Sequence, residues 1–334
     1  MRCVLRTAGF VISAALAVSS CARGRAPEPA TPTAIPVVDR AVPESQPAAA
    51  TPTAPQVTTS TLRTAVLVSA DIPEYTQIVA EILRRDRGKV TVHTLSGQTA
   101  DARRVVGDVG AEKPDRIIAV GLSAAIAARA FGATPTVFCQ VFNYQDHALV
   151  SATSKGVDLL PPFEPQLRAW RALAPNLHHV GVITGPGHDA SLAQMQQAAA
   201  ASGLELTARV VRTDLEALHE FREMAPHIDG LWLLPDNRVL SPDVVREIFA
   251  YSTEHDKQVA TFGQSLLKMG ALLSMTADPR DVVDRVLERL DSVDARGRLP
   301  GPDVTPLTLL QTQINDDVAR RLGLVAFERR ASAE

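Results

Sequence analysis

Arg116-Ile117-Ile118-Ala119-Val120-Gly121 is an apolar run of strand length that stops at a glycine, and the small-residue segment Ser123–Ala130 after it predicts a helix. A strand apolar on both faces belongs in a parallel sheet covered by helices on both sides. The same alternation extends outward from it. Upstream, Thr64–Ser69 and Lys89–Thr94 read as strands, and Tyr75–Arg84 and Thr99–Ala111 as helices; downstream, Thr136–Val141 reads as another strand. The connections are long enough for crossover helices.

The alternation pauses between Asn143 and Leu160 and then restarts. Phe163–Leu173 predicts a helix, His179–Thr184 a strand, and Ala190–Ser202 a helix closed by Gly203. Glu205–Val211, Gly230–Leu234, Gln258–Phe262 and Ala271–Met275 follow as strands, with helices at Asp214–Met224 and after Ser241-Pro242, a cap followed by proline at the first helical position. A long helix from Pro279 to about Asp294, a last strand (TPLTLLQT) and a short helix end the pattern. The fold class expected is α/β: two Rossmann-like lobes with parallel sheets and a ligand cleft between them. In such sheets ligands bind beyond the carboxyl ends of the strands.

The amino-terminal part reads differently. Arg2 and Arg6 precede an apolar run from Ala8 to about Val18, and Val18-Ser19-Ser20-Cys21 follows. The run has about half the ~20 residues a bilayer span requires, which fits a signal peptide over 1–20. The segment resembles the lipobox of bacterial lipoproteins, which implies lipidation at Cys21 and attachment to a membrane through that lipid. Residues 21–61 are rich in Pro, Ala and Thr, a composition that buries too little apolar area to order itself; a semi-stiff tether is expected. Roughly 270 of the 334 residues remain for the body, enough for two lobes. The expected division is a first lobe over 62–145 and 277–328 and a second over 146–276.

With 34 Lys and Arg against 37 Asp and Glu, and no basic run, a nucleic-acid partner is not expected. Cys3 leaves with the signal and Cys21 is lipidated, so Cys139 is the body's one thiol, in the apolar run TVFCQV, and reads as a buried structural residue.

Several stretches carry a family resemblance. Pro114–Gly121 with Ser123-Ala124-Ala125, Leu173-Ala174-Pro175 with His179–Ile183, Leu231–Asp236 with Val239-Leu240-Ser241, Phe262-Gly263, Met269–Leu272 and Ile314-Asn315 with Leu322-Gly323-Leu324 together resemble ABC-transporter substrate-binding proteins of the tryptophan/tyrosine-transport type. The resemblance spans roughly residues 62–324. It implies a type I periplasmic-binding fold with three hinge crossings, a small solute as ligand, and a permease and ATPase as partners. Three loops depart from the family pattern: 69–75, 143–146 and 184–186. The resemblance therefore implies a fold without naming a ligand, amino-acid-like or otherwise.

Residues just after strands are the candidate contacts: Ser69, Tyr75, Gly121, Ser123, Phe142, Asn143, Thr184, Asp236, Asn237 and Phe262. Asp236 could hold an amine or a hydroxyl or could cap its own turn; Phe142 and Tyr75 could stack on a ligand or only pack. Gly185-Pro186-Gly187-His188-Asp189-Ala190 matches a dinucleotide fingerprint literally, could hold a ligand carboxylate at its helix start, or is a plain turn. No nucleophile-elbow spacing is present, so no enzyme activity, cofactor or metal is expected. An envelope location on the periplasmic side follows. Ala22, where inner-membrane retention uses Asp, leans towards the outer membrane, which sits awkwardly with an inner-membrane permease and leaves the choice of membrane open. The alternative is an envelope interaction or sensor module with the same fold and no transport.

Overall fold

The computed structural model describes residues 61–95 and 99–324. The expected signal peptide, the expected lipidation site at Cys21 and all but the last residue of the expected tether lie outside the described residues. The body opens with β1 (Arg63–Val68), α1 (Pro73–Arg85), β2 (Lys89–Thr94), α2 (Thr99–Glu112), β3 (Arg116–Val120), α3 (Leu122–Ala128), β4 (Thr136–Cys139) and β5 (Ser154–Val157). It continues with α4 (Phe163–Leu173), β6 (His179–Thr184), α5 (Asp189–Ala201), β7 (Glu205–Val210), α6 (Asp214–Met224), β8 (Gly230–Leu233), α7 (Pro242–Glu254), β9 (Gln258–Thr261) and β10 (Leu273–Ala277). α8 (Pro279–Asp291), β11 (Val304–Thr305), β12 (Leu310–Ile314) and α9 (Asp316–Arg321) complete it.

Two sheets result, in the orders β2-β1-β3-β4-β5-β11 and β7-β6-β8-β9-β10-β12. Every pairing is parallel except β10 with β12. The α/β class and two-lobed architecture read from the sequence are thus what the chain adopts. The alternation along β3 shows why. Ile118 and Val120 join a core on one face with Ile78, Ile82, Val282 and Val286 of α1 and α8. Ile117 and Ala119 join a core on the other face with Val105, Val109 and Phe138. β6 does the same in the second sheet: Val180 and Val182 pack with Trp170 of α4, while Ile183 packs with Phe221 of α6.

Two elements correct the expected lobe boundaries. The pause in the pattern contains β5, which pairs with β4 and belongs to the first sheet, so residues 146–157 are not part of the second. Its sequence, Ser-Lys-Gly-Val, lacks an apolar run because Gly156 lies against the Phe138 ring: a Cβ there would sit 2.5 Å from Phe138 Cε2. The single last strand expected over TPLTLLQT is in fact two. Thr305 pairs with Val157 in the first sheet, and Leu310 with Ala277 in the second. β12 and α9 therefore join the second lobe, where Val318, Ala319 and Leu324 share a core with Trp170. The chain crosses between sheets at 158–162, at 277–278 and at 306–309.

Candidate functional site

In each sheet the order reverses around the first strand, so the loops after β1 and β3, and after β6 and β8, meet at a switch point. Register sets their level. Val68 lies opposite Val120, which brings Ser69 beside Gly121. Ile183 lies opposite Leu233, which brings Thr184 and Gly185 beside the loop at Asp236.

Between the lobes lies a cavity of about 320 Å³. From the first lobe it is lined by Ile72, Glu74, Tyr75, Leu122, Gln140, Val141, Phe142 and Asn143, and from the second by Pro235, Asn237, Phe262, Gly263 and Ser265, with Leu159 of the first crossing. Of the expected contacts, Tyr75, Phe142, Asn143, Asn237 and Phe262 line it. Ser69, Gly121, Ser123, Thr184 and Asp236 do not.

Each of those five has a local reason. Ser69 Oγ accepts from the Ala124 backbone N–H at 2.9 Å and so ties β1 to the start of α3. Gly121 has φ +86°, and a Cβ on it would lie 2.6 Å from Ser69 Oγ and 2.7 Å from the Tyr75 hydroxyl; it is where Tyr75 lies over the strand end. Ser123 is exposed on α3. Thr184 and Asp236 are fully buried and bonded to each other.

Asp236 is the centre of a polar lock that joins the lobes. Its carboxylate accepts from Asn143 Nδ2 at 3.1 Å, Thr184 Oγ1 at 3.1 Å, the Gly185 N–H at 2.7 Å, and Arg238 Nε and Nη2 at 2.9 and 2.8 Å. Arg238 Nη1 also donates to Asp146 at 3.0 Å, across the lobes. Burial alone would raise the Asp236 carboxyl, but the Arg238 guanidinium, the Gly185 amide and the Asn143 amide together outweigh it and hold it well below the usual carboxylate range. His188 stacks on Phe142 with ring centroids 4.5 Å apart, and Arg238 Nη2 lies 2.9 Å from its Nε2. Arginine only donates, so this contact is a hydrogen bond only where Nε2 carries no proton. The His188 pKa is low, from burial first, with the Asp236 charge opposing and the Arg238 charge reinforcing. Asn143 Oδ1 also lies 2.9 Å from Nε2, an approach that becomes a hydrogen bond only when Nε2 carries the proton.

The glycine-rich turn serves this lock. Gly185 donates its N–H to Asp236, and a Cβ on it would meet Arg238 and Asp236 at 2.9 and 3.0 Å. The amide that a dinucleotide or a ligand carboxylate would use is thereby occupied. Cys139 is buried, and burial pushes its thiol up to about 12, which removes it as a nucleophile.

Of the nine lining residues outside the expected contacts, Glu74 and Gln140 stand out. Glu74 stands in the first turn of α1, where an acid reads simply as a complement to the helix dipole. Gln140, directly after β4, has φ +60°, a left-handed conformation that non-glycine residues adopt at a cost of about 1–3 kcal/mol and that concentrates at binding sites. Nothing in its sequence context signals that conformation. A second cavity, of about 40 Å³, shares Glu74, Gln140, Leu159 and Phe262 with the first and extends towards Gln311 and the hinge.

No protein-family model and no curated protein sequence matches the chain. Solved structures do. The chain is similar to a ligand-free, open substrate-binding protein with adhesive properties from Clostridium difficile, at 16% identity and TM-score 0.57, over 80% of this chain and 97% of that one. It is similar to an ABC domain in complex with L-Trp from Streptococcus pneumonia, at 17% identity and TM-score 0.56, over 79% and 95%. An arabinose-binding protein from Geobacillus stearothermophilus follows at 13% identity and TM-score 0.53, over 78% and 99%. At these identities the likeness speaks to the fold: two lobes, three crossings and the type I periplasmic-binding architecture.

Proposed function

We propose that the chain is the solute-capturing lipoprotein of an ABC-type importer. The observation that carries this reading is the cavity of about 320 Å³ between the strand ends of two hinged lobes, lined from both sides. Cavities of this size hold one small molecule and are mostly apolar with a few polar groups, as here. Three crossings permit the lobes to close by hinge bending, the motion by which such clefts sequester a ligand. One protein of this fold is in complex with L-Trp and another is an arabinose-binding protein, which supports a small solute, amino-acid-like or similar, as the ligand. Residues 1–20 would direct export, lipid on Cys21 would hold the chain to an envelope membrane, and residues 21–61 would give the body reach. The chain performs no chemistry of its own and hands its solute to a permease driven by an ATPase.

The test is uptake. Cells lacking the chain should accumulate less of one solute that the chain binds, and restoring the chain should recover it. Unchanged uptake of every solute shown to bind would sink the importer reading. It would favour the second reading, an envelope sensor or interaction module, which the lock at Asp236 supports: it joins the two lobes through side chains alone.

A further inference from the structure

Charge in the cleft is lopsided. Glu74 is the one ionisable carboxylate among the residues lining the larger cavity, and no Lys, Arg or His accompanies it there. Glu74 makes no hydrogen bond or ion pair with any described residue. Its charge is nonetheless felt in the cleft: burial first, then the nearby Cys139 and Glu74, push the Tyr75 hydroxyl above its usual pKa. The carboxylate reaches across to the other lobe, where Glu74 Oε1 lies 3.9 Å from the Cβ position of Gly263. The Arg238 guanidinium, next in sequence to the lining residue Asn237, is engaged by Asp236 and Asp146.

An unpaired acid in a half-enclosed cleft wants a cation. The lining around it combines the aromatic Tyr75, Phe142 and Phe262, whose rings attract a cation as well as an apolar body, with the neutral polar Gln140, Asn143, Asn237 and Ser265. A ligand carboxylate would find no positive partner, and the Gly185 amide at the opposite loop is already bonded. Desolvating such a group without compensation is unfavourable. With one carboxylate available, one positive charge is matched.

We infer that the cleft selects a small monocationic amine with an apolar body and no carboxylate, its ammonium seated on Glu74. This rests on the cleft-capture reading above and narrows it.

The experiment is calorimetric titration of the full chain with four probes: 2-phenylethylamine, L-phenylalanine, 3-phenylpropionate and D-galactose. Phenylethylamine is expected to bind at least about tenfold tighter than each of the others, and more weakly as salt is raised. In Glu74→Gln the amine should lose about tenfold or more in affinity, while the melting temperature of the unliganded chain shifts little, because Glu74 gives up only its interaction with the α1 helix dipole. Phenylalanine or phenylpropionate binding as tightly as the amine overturns the inference, as does Glu74→Gln binding the amine as well as its parent. Galactose alone binding overturns it too, yet leaves cleft capture standing. Silence from all four overturns it, and silence from a broad solute panel removes cleft capture as well.

Discussion

Asp236 shows how far a single residue can be read in advance. A carboxylate just past a buried strand marks a functional turn, and Asn143, Thr184 and Asp236 do meet in space. What the sequence does not carry is that their hydrogen-bonding capacity is exhausted on one another and on Arg238, two residues along. Removing one partner of such a buried ion pair leaves charge and donors unmatched. Asp236→Ala should therefore lose about 3 kcal/mol or more in urea unfolding; a loss below about 1 kcal/mol would contradict the lock. The lock also has a pH signature. Burial, reinforced by the Arg238 charge and opposed by Asp236, Asp146 and Asp189, lowers the His188 pKa, so its contribution is in full above the unfolded value of about 6.5 and is lost as pH falls through the folded value. The Asp236 carboxyl, also depressed, begins to lose its contribution only below about 4. Melting temperature should thus begin to fall as pH drops below about 6.5, and the fall should flatten in His188→Asn. Equal slopes in the two chains would place the acid sensitivity elsewhere.

At the scale of elements, strands with apolar runs were legible and strands without them were not. β2, β3, β6, α4 and α6 lie where hydrophobic period and flanking turn residues place them. β5 was illegible because Gly156 gives way to the Phe138 ring, so a strand contributes almost no apolar side chains of its own. The split between β11 and β12 was hidden by Leu307, which is buried in the crossing without belonging to a sheet and so continues the apolar pattern. Glycine at the end of β3 was legible as a stop, and its purpose appears only in three dimensions. Gly121→Ala forces a Cβ at φ +86° against Ser69 Oγ and the Tyr75 hydroxyl. It should lose about 1–3 kcal/mol and weaken ligand binding as Tyr75 is displaced. Gly230→Ala, whose methyl meets Trp170 in the second-lobe core, should lose stability with ligand affinity kept. Matching effects of the two on affinity would show that Tyr75 does not shape the cleft.

For the whole molecule, the two lobes depend on crossings that are held firmly yet remain able to bend. Asp281 of α8 accepts from the Leu309 N–H at 2.8 Å and from Thr308 Oγ1 at 3.0 Å, which fixes the third crossing to the first lobe. The lock at Asp236 adds a further link between the lobes through Asn143, which lines the cavity. Capture of a solute between the lobes follows from this arrangement and is the claim on which the rest depends. Thermal unfolding of the full chain against a panel of amines, amino acids and sugars tests it most directly. A ligand at about a hundred times its Kd adds about 2.7 kcal/mol, which should raise the melting temperature by about 5 °C or more. At least one small solute should do so. No rise from any member at about 10 mM, where every ligand tighter than millimolar would be held, would contradict cleft capture.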